Sequence, residues 1–578
     1  MNKILKAAVC VLNSKYIHSS LAPWCLVAGI DTWCGSQIET VVVEGTINEN
    51  TEKIVPRILS AKPDAIGFCC YIWNIDAVKR LIRSVKQRLP RCIIVLGGPE
   101  VSFNAEEVLQ SQPDVDFIIA GEGEKPFAQL LNAICEGGST GDIPGLCFKQ
   151  GDKIITSPPH LTREEPPSPY TQKYLDALDG RIAYLETSRG CPYSCAFCLS
   201  GRCGNVRYYD VERAKSELLL LANSGAKTVK LVDRTFNANP KRAAVLFGFI
   251  INHYGRDIPK GVCFHFEIAG DILDDAMIDL LRTAPVGAIQ FEIGLQSFHT
   301  KTLDAINRKT NIQRLVRNIK RLVECGNMHI HIDLIAGLPY EDFDSFANSF
   351  NIAYSLHPHM LQLGFLKLLH GSPMRENPEC FPCRFSQSPP YEVIDTPWIT
   401  KEELARLHNV EDALDRLYNS GRFRRTLGYV LRQTNLTPFE LFYNFGEHCT
   451  SKNINRISLD SYTGLVYDWF GELNCVDKAI LRDTMSCDRI ATNSSGRLPA
   501  VLDVKDDRLK AALKELKKTP QTCPKRGVKR GAAILYTANC LVYADYENKN
   551  PVMGEYRLHK LQPHILLDET ASINDVHC

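Results

Sequence analysis

The feature that most constrains this chain is a strand–helix alternation that runs twice, in two separate blocks, over residues 1–375. In the first block, short runs rich in β-branched side chains fall at Lys6–Leu12, Ile38–Val43, Ala65–Ile72, Cys92–Leu96 and Asp116–Ala120. Helical patterns separate them. In Asp76–Leu89, apolar Val78, Leu81, Ile82, Val85 and Leu89 share one face, and Pro90 ends the helix. Parallel strands need crossover helices, so this rhythm predicts a parallel, doubly wound sheet over residues 1–150. Such sheets take ligands at the carboxyl ends of their strands. Two expected strands end there in Gly97-Gly98-Pro99-Glu100 and Gly121-Glu122-Gly123-Glu124. Glycines at these ends either let backbone approach a bulky ligand or simply make tight turns and helix starts.

Prolines 158, 159, 166, 167 and 169 mark residues 151–180 as an interdomain linker. The alternation then restarts, with strand signals at Ile182–Thr187, Thr228–Val232, Val262–Phe266, Ala288–Ile293, His329–Ile335 and Met360–Leu366. Six βα units predict a partial (β/α)6 barrel over residues 181–375, with its site at the carboxyl ends of the strands. Residues 376–578 lose the rhythm: a helix over Lys401–Tyr418 precedes strand-like runs at Gly531–Tyr536 and Leu541–Tyr546. They read as an α+β C-terminal domain of unknown function, and the chain as a whole as α/β.

Charge narrows the partners. Lys+Arg is 67 against Asp+Glu 66, which removes the bulk electrostatic argument for a nucleic-acid or membrane-surface protein. The run Lys505–Arg530, with ten basic residues against three acidic, reads first as a solvated face and second as a substrate patch. No apolar run approaches the ~20 residues that span a bilayer. Cys10 after Ala7-Ala8-Val9 faintly resembles a lipoprotein cleavage site, but the stretch before it is short and Lys6 interrupts it. The expectation is a cytoplasmic protein, without membrane or nucleic-acid partners. Its 22 cysteines read as reduced thiols that mostly fill the core.

One cysteine group stands apart by spacing. Cys191, Cys195 and Cys198 form C-x3-C-x2-C directly after the first expected barrel strand. Three such thiolates can wrap one cubic cluster. A four-iron cube with three protein ligands leaves one iron open to chelate the amine and carboxylate of S-adenosylmethionine. An electron from the cluster can then cleave the S–C5′ bond and release a 5′-deoxyadenosyl radical, chemistry that belongs to the cofactor. The alternative is a closed site. Cys203 follows Cys198 by five positions and would then be a fourth ligand to zinc or to an electron-transfer cluster.

With this motif, including Phe197 before its last cysteine, the chain resembles the radical S-adenosylmethionine (radical SAM) superfamily over about residues 180–375. The resemblance implies that Cys191, Cys195 and Cys198 hold a [4Fe–4S] cluster and that Phe197 adjoins the cofactor. Phe264–Glu267 resembles a strand of the oxygen-independent coproporphyrinogen oxidases and implies that Glu267 approaches S-adenosylmethionine. Gly294-Leu295-Gln296-Ser297 implies a contact from Gln296, and Arg308 stands where a contacting arginine follows. Asp333–Pro339 resembles the fifth-strand motif, with Asp333 near the ribose, and His370–Pro373 the turn after strand six. Val232–Phe236 departs from the glycine-and-glutamate loop of many members and resembles an Asp-containing variant, which implicates Asp233.

The doubly wound domain ahead of such a barrel resembles the cobalamin-binding, class B branch. Its loops match at Gly97, Gly98, Pro99, Glu100, Gly121, Glu122, Gly123 and Glu124, and Asn13–Ala22 resembles the branch's first loop, which implicates Asn13. No complete D-x-H-x-x-G occurs, so the lower face of a bound cobalamin would lack an imidazole from that motif; His18 reads as a contact or as a structural residue. The C-terminal region resembles the uncharacterised domain often fused to this branch. The resemblance implies a cobalamin-dependent methyltransferase acting on an unactivated carbon of an unknown substrate. An electron donor such as flavodoxin or ferredoxin would serve it. Radical cyclisation or rearrangement without methyl transfer, loss of cobalamin, and a non-catalytic cobalamin or iron–sulfur sensor are the alternatives.

Overall fold

The computed structural model describes residues 4–452, 454, 456–504 and 531–561. The basic run at Lys505–Arg530 and the side chain of Cys203 lie outside the described residues.

The first block folds into a seven-stranded sheet ordered β2-β1-β3-β4-β5-β6-β7. Its strands are β1 (Leu5–Asn13), β2 (Ile38–Thr46), β3 (Ala65–Cys69), β4 (Ile93–Gly97), β5 (Phe117–Ile119), β6 (Leu146–Gln150) and β7 (Lys153–Ile155). The first five run parallel, and β6 and β7 pair antiparallel at one edge. Every residue of β3 is buried, because helices cover both faces of the sheet. The helix Ile75–Arg88 buries Val78, Leu81, Ile82 and Val85 on one face, as its 3.6-residue period demands. The strand order reverses between β1 and β3, and such a switch point opens a crevice at the carboxyl edge.

Residues 151–180 are less of a linker than their prolines imply. They contain β7 and a helix, Gln172–Leu178, capped by Thr171, and they bury Tyr170 and Tyr174 in the barrel's core cluster. The proline signal is real, but the aromatic residues beside it have apolar surface to bury and dock the segment.

The second block forms a six-stranded, all-parallel sheet ordered β15-β14-β13-β12-β11-β8. It comprises β8 (Ala183–Leu185), β11 (Thr228–Leu231), β12 (Cys263–Ile268), β13 (Ile289–Gln296), β14 (His329–Ala336) and β15 (Met360–Phe365). A short antiparallel ribbon, β9 (Ser188–Arg189) with β10 (Arg207–Tyr208), brackets the cysteine loop. Side chains alternate along each strand. In β12, Phe264, Phe266 and Ile268 are buried against the helices, and Cys263, His265 and Glu267 turn to the concave inside. Ile312–Cys325 shows the local logic of the outer helices. Asn311 caps its start, Gly326 at φ 68° ends it in the left-handed region, and Leu315, Ile319 and Leu322 are buried.

Among the described residues, the C-terminal region carries separate α-helices between Lys401 and Thr492 and a three-stranded antiparallel sheet of Ala532–Leu535, Cys540–Lys549 and Tyr556–Leu561. The expected helix Lys401–Tyr418 is an α-helix to Leu414 followed by a π-turn over Asp415–Asn419. No helix among the described residues is long and apolar enough to cross a membrane.

Candidate functional site

The carboxyl edges of the two parallel sheets face one another across a cavity of about 620 Å³. From the first sheet come Asn13 and Ser14 after β1, Tyr71 and Trp73 after β3, Gly97 and Gly98 after β4, and Gly121–Glu124 after β5. From the barrel come Tyr184 and Glu186 around β8, Lys230, Val232 and Arg234 at β11, and Glu267 at β12. Gly98 has φ 111°, and a Cβ there would stand 2.5 Å from the Cys70 carbonyl oxygen, so only glycine allows this turn to lie flat against β3.

The wall opposite the glycines is aromatic. Tyr71 and Trp73 stack in parallel with ring centroids 4.4 Å apart, and the Trp73 indole N–H donates to the Leu12 carbonyl at 3.2 Å. A flat, mixed apolar and backbone-lined cavity of this kind suits a large planar ring system. Sequence reading missed both aromatics, because it extended the third strand to Ile72; β3 in fact stops at Cys69, and the signal is an aromatic pair just past a strand's carboxyl end. His18 lines the same cavity, and its Nδ1 is 2.8 Å from the Tyr184 hydroxyl. Asn13 lines it too, while its amide donates to Glu44 at 3.2 Å.

The acidic side chains of the glycine loops turn to protein partners. Glu124 meets Arg189 at 2.5 Å, and Glu122 meets Arg207 and, at 3.4 Å, Arg189. Glu186 takes Arg189 at 2.8 Å. Burial pushes the Glu124 carboxyl up, and Arg189 outweighs it, so the net shift is downward. Glu100 accepts from the Tyr391 hydroxyl of the C-terminal region, with Pro99 in the turn before it. Gly97, Gly98, Gly121, Glu122, Gly123 and Glu124 line the cavity, whereas Pro99 and Glu100 do not.

Arg189 is also the residue two before Cys191, so one guanidinium ties the glycine loop to the cysteine loop. In that loop Cys191, Cys195 and Cys198 are free thiols. Among the described residues, the one group of potential ligands whose donor atoms all lie within 4.8 Å is Glu292, His331 and Asp333. The three thiols therefore do not gather closely enough to share one ion. Burial dominates at Cys195 and keeps its thiol above the ordinary value, although Arg308 opposes it with Nη1 at 3.7 Å from the sulfur. The Ser200 amide donates to Cys198 Sγ at 3.4 Å, and Thr235 Oγ1 is 3.5 Å from Cys191 Sγ. Phe197 packs against the barrel core.

A second set of groups gathers around Gly294. A β-bulge between Gly294 and Gln296 puts Gln296 at φ 72°. Gln296 then folds back over Gly294, where a Cβ would lie 2.4 Å from its Nε2. Arg308 donates to the Gly294 carbonyl at 2.5 Å, and Asp333 is the register partner of Gly294. Buried Gln296 Oε1, Arg308 Nε and Asp333 Oδ1 have no hydrogen-bond partner within the protein. Buried polar atoms left open in this way need an external partner. The donors and acceptors of a ribose and an amino-acid moiety fit them, so the residues present fit S-adenosylmethionine. Asp333 Oδ1 also has His331 Nε2 at 3.0 Å. Burial lowers that imidazole, but the carboxylate outweighs it and raises it, so Asp333 is shared between an ion pair and a ligand rather than wholly open.

Glu267 lies between this set and the cavity. It pairs loosely with Lys230 at 4.0 Å and Arg234 at 3.8 Å, and burial pushes its carboxyl up. Below it, Glu292 holds Lys230 at 3.0 Å and His265 at 2.9 Å. Burial raises the Glu292 carboxyl, but those two partners outweigh it and keep it ionised. Alternating polar residues inside otherwise apolar strands are the signal that would have found Lys230, His265, Glu292 and His331. Asp233 sits elsewhere. It is fully enclosed, accepts from the Thr187 amide and hydroxyl and the Ser188 hydroxyl at 2.5–2.9 Å, and does not line the cavity. Burial lifts its carboxyl to about 6. Its contacts are those of a clasp between two strand ends rather than of a side chain presented to a ligand.

A doubly wound sheet and a partial barrel share one cavity, and the three-cysteine loop begins two residues after Arg189 in its lining. Comparison with known families agrees with that domain pair. The family described as B12 binding domain matches residues 24–131, the Radical SAM superfamily matches 185–352, and a protein family of unknown function, DUF4080, matches 379–529. The chain thus carries a radical SAM domain preceded by a B12-binding domain. These matches supply its cofactor classes: a [4Fe–4S] cluster, S-adenosylmethionine and cobalamin.

The chain is similar to the 2-(S-pantetheinyl)-carbapenam-3-carboxylate methyltransferase of Streptantibioticus cattleyicolor, with 26% identity over 66% of this chain and 60% of that protein. It is also similar to the cobalamin-dependent radical SAM methyltransferase TokK of Streptomyces tokunonensis, with 27% identity over 56% of this chain and 50% of that one. The match thus spans less than two thirds of these relatives' own length. In fold it resembles the cobalamin-dependent S-adenosylmethionine radical enzyme OxsB, at TM-score 0.57 and 13% identity over 84% of this chain and 79% of that one.

Proposed function

We propose that this protein is a cobalamin-dependent radical SAM methyltransferase that acts on an unactivated carbon of a small molecule. The observation that carries the reading is the shared cavity: the glycine-lined edge of the first sheet and Lys230, Arg234 and Glu267 of the barrel line one space. Similarity to two named methyltransferases supports it. With both groups bound, the cluster and S-adenosylmethionine supply a carbon-centred radical and cobalamin supplies methyl carriage.

The chain's own residues have separable tasks in this reading. Cys191, Cys195 and Cys198 hold the cluster, and Arg308 offsets their negative charge. Gln296 and Asp333 hold the nucleoside and amino-acid ends of S-adenosylmethionine, with Glu267 at their edge. Gly97, Gly98, Gly121 and Gly123 let the first sheet lie close under the corrin, and Tyr71 and Trp73 wall it. Arg189 keeps the two edges in register. Residues 1–150 are assigned as the cobalamin domain, 181–375 as the radical barrel and 376–578 as the C-terminal domain, with the segment 151–180 between the first two. A low-potential donor such as flavodoxin or ferredoxin and a cytoplasmic location complete the reading.

The test is anaerobic reconstitution with iron, sulfide and cobalamin, then assay under reducing conditions. Methyl transfer predicts both S-adenosylhomocysteine and 5′-deoxyadenosine. 5′-Deoxyadenosine alone from the fully loaded protein would replace this reading with a radical reaction that moves no methyl group.

A further inference from the structure

We infer that the substrate carries an anionic group, a carboxylate or a phosphate, that seats against Arg234; this rests on the methyltransferase reading above. Arg234 occupies the turn after β11, at the junction between the two cofactor sites. It lines the shared cavity, and its neighbour Thr235 contacts Cys191 Sγ at 3.5 Å. Its side chain is 56% exposed, and among the described residues its guanidinium makes no hydrogen bond. The single carboxylate it pairs with, Glu267, stays 3.8 Å away.

The other arginines near the site are committed. Arg189 is 14% exposed and bound to three carboxylates, and Arg308 is bonded to the Gly294 carbonyl and lies against Cys195. Lys230 has Glu292 at 3.0 Å. Arg234 alone in this group presents an unused planar fork of five donors, the geometry that recognises carboxylate or phosphate in two parallel bonds.

Two cofactor anions could compete for it. The carboxylate of S-adenosylmethionine is taken by the open iron in the reading above, and the corrin's side amides are neutral. The phosphodiester of cobalamin's nucleotide tail would shield Arg234 in the cobalamin-loaded protein and is excluded when Arg234 reacts there. What remains is a third ligand lying between the radical source and the methyl carrier, where a substrate must lie. Lys230 adds positive potential behind the seat. Loosely held Glu267 beside it favours a substrate that also offers a hydrogen-bond donor or a cationic group. An uncharged hydrocarbon would leave this arginine facing apolar surface, at the cost of desolvating it unpaired.

The test needs no knowledge of the substrate. The reconstituted holoenzyme is treated with phenylglyoxal, which modifies accessible arginines, and the modified positions are mapped by mass spectrometry, with inorganic phosphate as the probe anion. Arg234 should react, and Arg189 should not. With S-adenosylmethionine saturating, phosphate should slow modification of Arg234 about tenfold at ten times a roughly millimolar Kd. The inference is overturned if phosphate gives no protection, or if Arg234 is inert without any anion. It is equally overturned if S-adenosylmethionine alone protects fully, because the arginine then serves that cofactor's carboxylate. Protection of Arg234 in a protein that forms no S-adenosylhomocysteine would leave the anion seat standing and remove the methyltransferase reading.

Discussion

Asp333 shows how a single residue position carries function here. Its Oδ1 is buried beside His331 Nε2 at 3.0 Å, on a strand whose register sets the residue beside Gly294. A ribose diol would satisfy what remains open. A hydrogen bond to a charged group is worth about 1.5–3 kcal/mol, so Asp333→Ala should weaken S-adenosylmethionine binding by roughly ten- to a hundredfold while cluster content stays at the wild-type level. Equilibrium dialysis and iron analysis decide it; unchanged affinity would make Asp333 a barrel-core residue. Glu341 gives a pH-dependent companion. It is buried, bonded to the Ser297 and Ser349 hydroxyls at 2.5 and 3.1 Å, and burial lifts its carboxyl to about 7 from 4.5. Between those values the folded state binds more protons than the unfolded state, so its contribution is full below about pH 4.5 and is lost as pH rises through about 7. Glu341→Gln should flatten that part of the stability profile and stabilise the protein at pH 8, as read by urea midpoints across pH.

Among the elements, the contact that matters most is between loops. Arg189 on β9 holds Glu124 and Glu122 of the loop after β5, and Glu186 at the end of β8. Removing one partner from a buried pair typically costs about 3–5 kcal/mol, because the remaining charges stay buried. Arg189→Met should therefore lower stability by about that amount and weaken cobalamin binding even in protein that retains its cluster. Calorimetry and an anaerobic cobalamin titration test it. Normal cobalamin affinity in the folded variant would show that the loop keeps its place without the clamp. The glycine loops were legible as ligand loops from their place after strands. The direction of their carboxylates was not, because Arg189 and Arg207 lie some 65 to 85 residues away along the chain.

Over the whole molecule, both later regions reach the loop after β4: Tyr391 of the C-terminal region donates to Glu100, and the ring of Phe103 lies where a Cβ on Gly371 of the barrel would be, 2.2 Å from its Cγ. Trp73, 47% exposed on the cavity wall, is placed to report on its filling. Cobalamin binding should quench tryptophan fluorescence, and Trp73→Phe should remove most of the change, although four other tryptophans remain. A full quench in the variant would put the corrin elsewhere.

Local pattern was enough to determine the two parallel sheets, the cysteine loop and the order of polar residues along the barrel strands, because hydrophobic period, glycine placement and cysteine spacing are short-range properties. The expected strand ends at Ile72 and the reading of Asp233 as a ligand show where that stops. Tyr71 and Trp73 leave the sheet to wall a cavity, and Asp233 turns inward to clasp Thr187 and Ser188. The polar middle of the barrel belongs to the same class: Lys230, His265, Glu292 and His331 come from four strands, and only their closure into one curved sheet makes them neighbours. Only the tertiary structure decided that the two carboxyl edges share one space, which charges there are spent on each other, and that Arg234 is not. Those are sums over residues distant in sequence, and no local pattern encodes them.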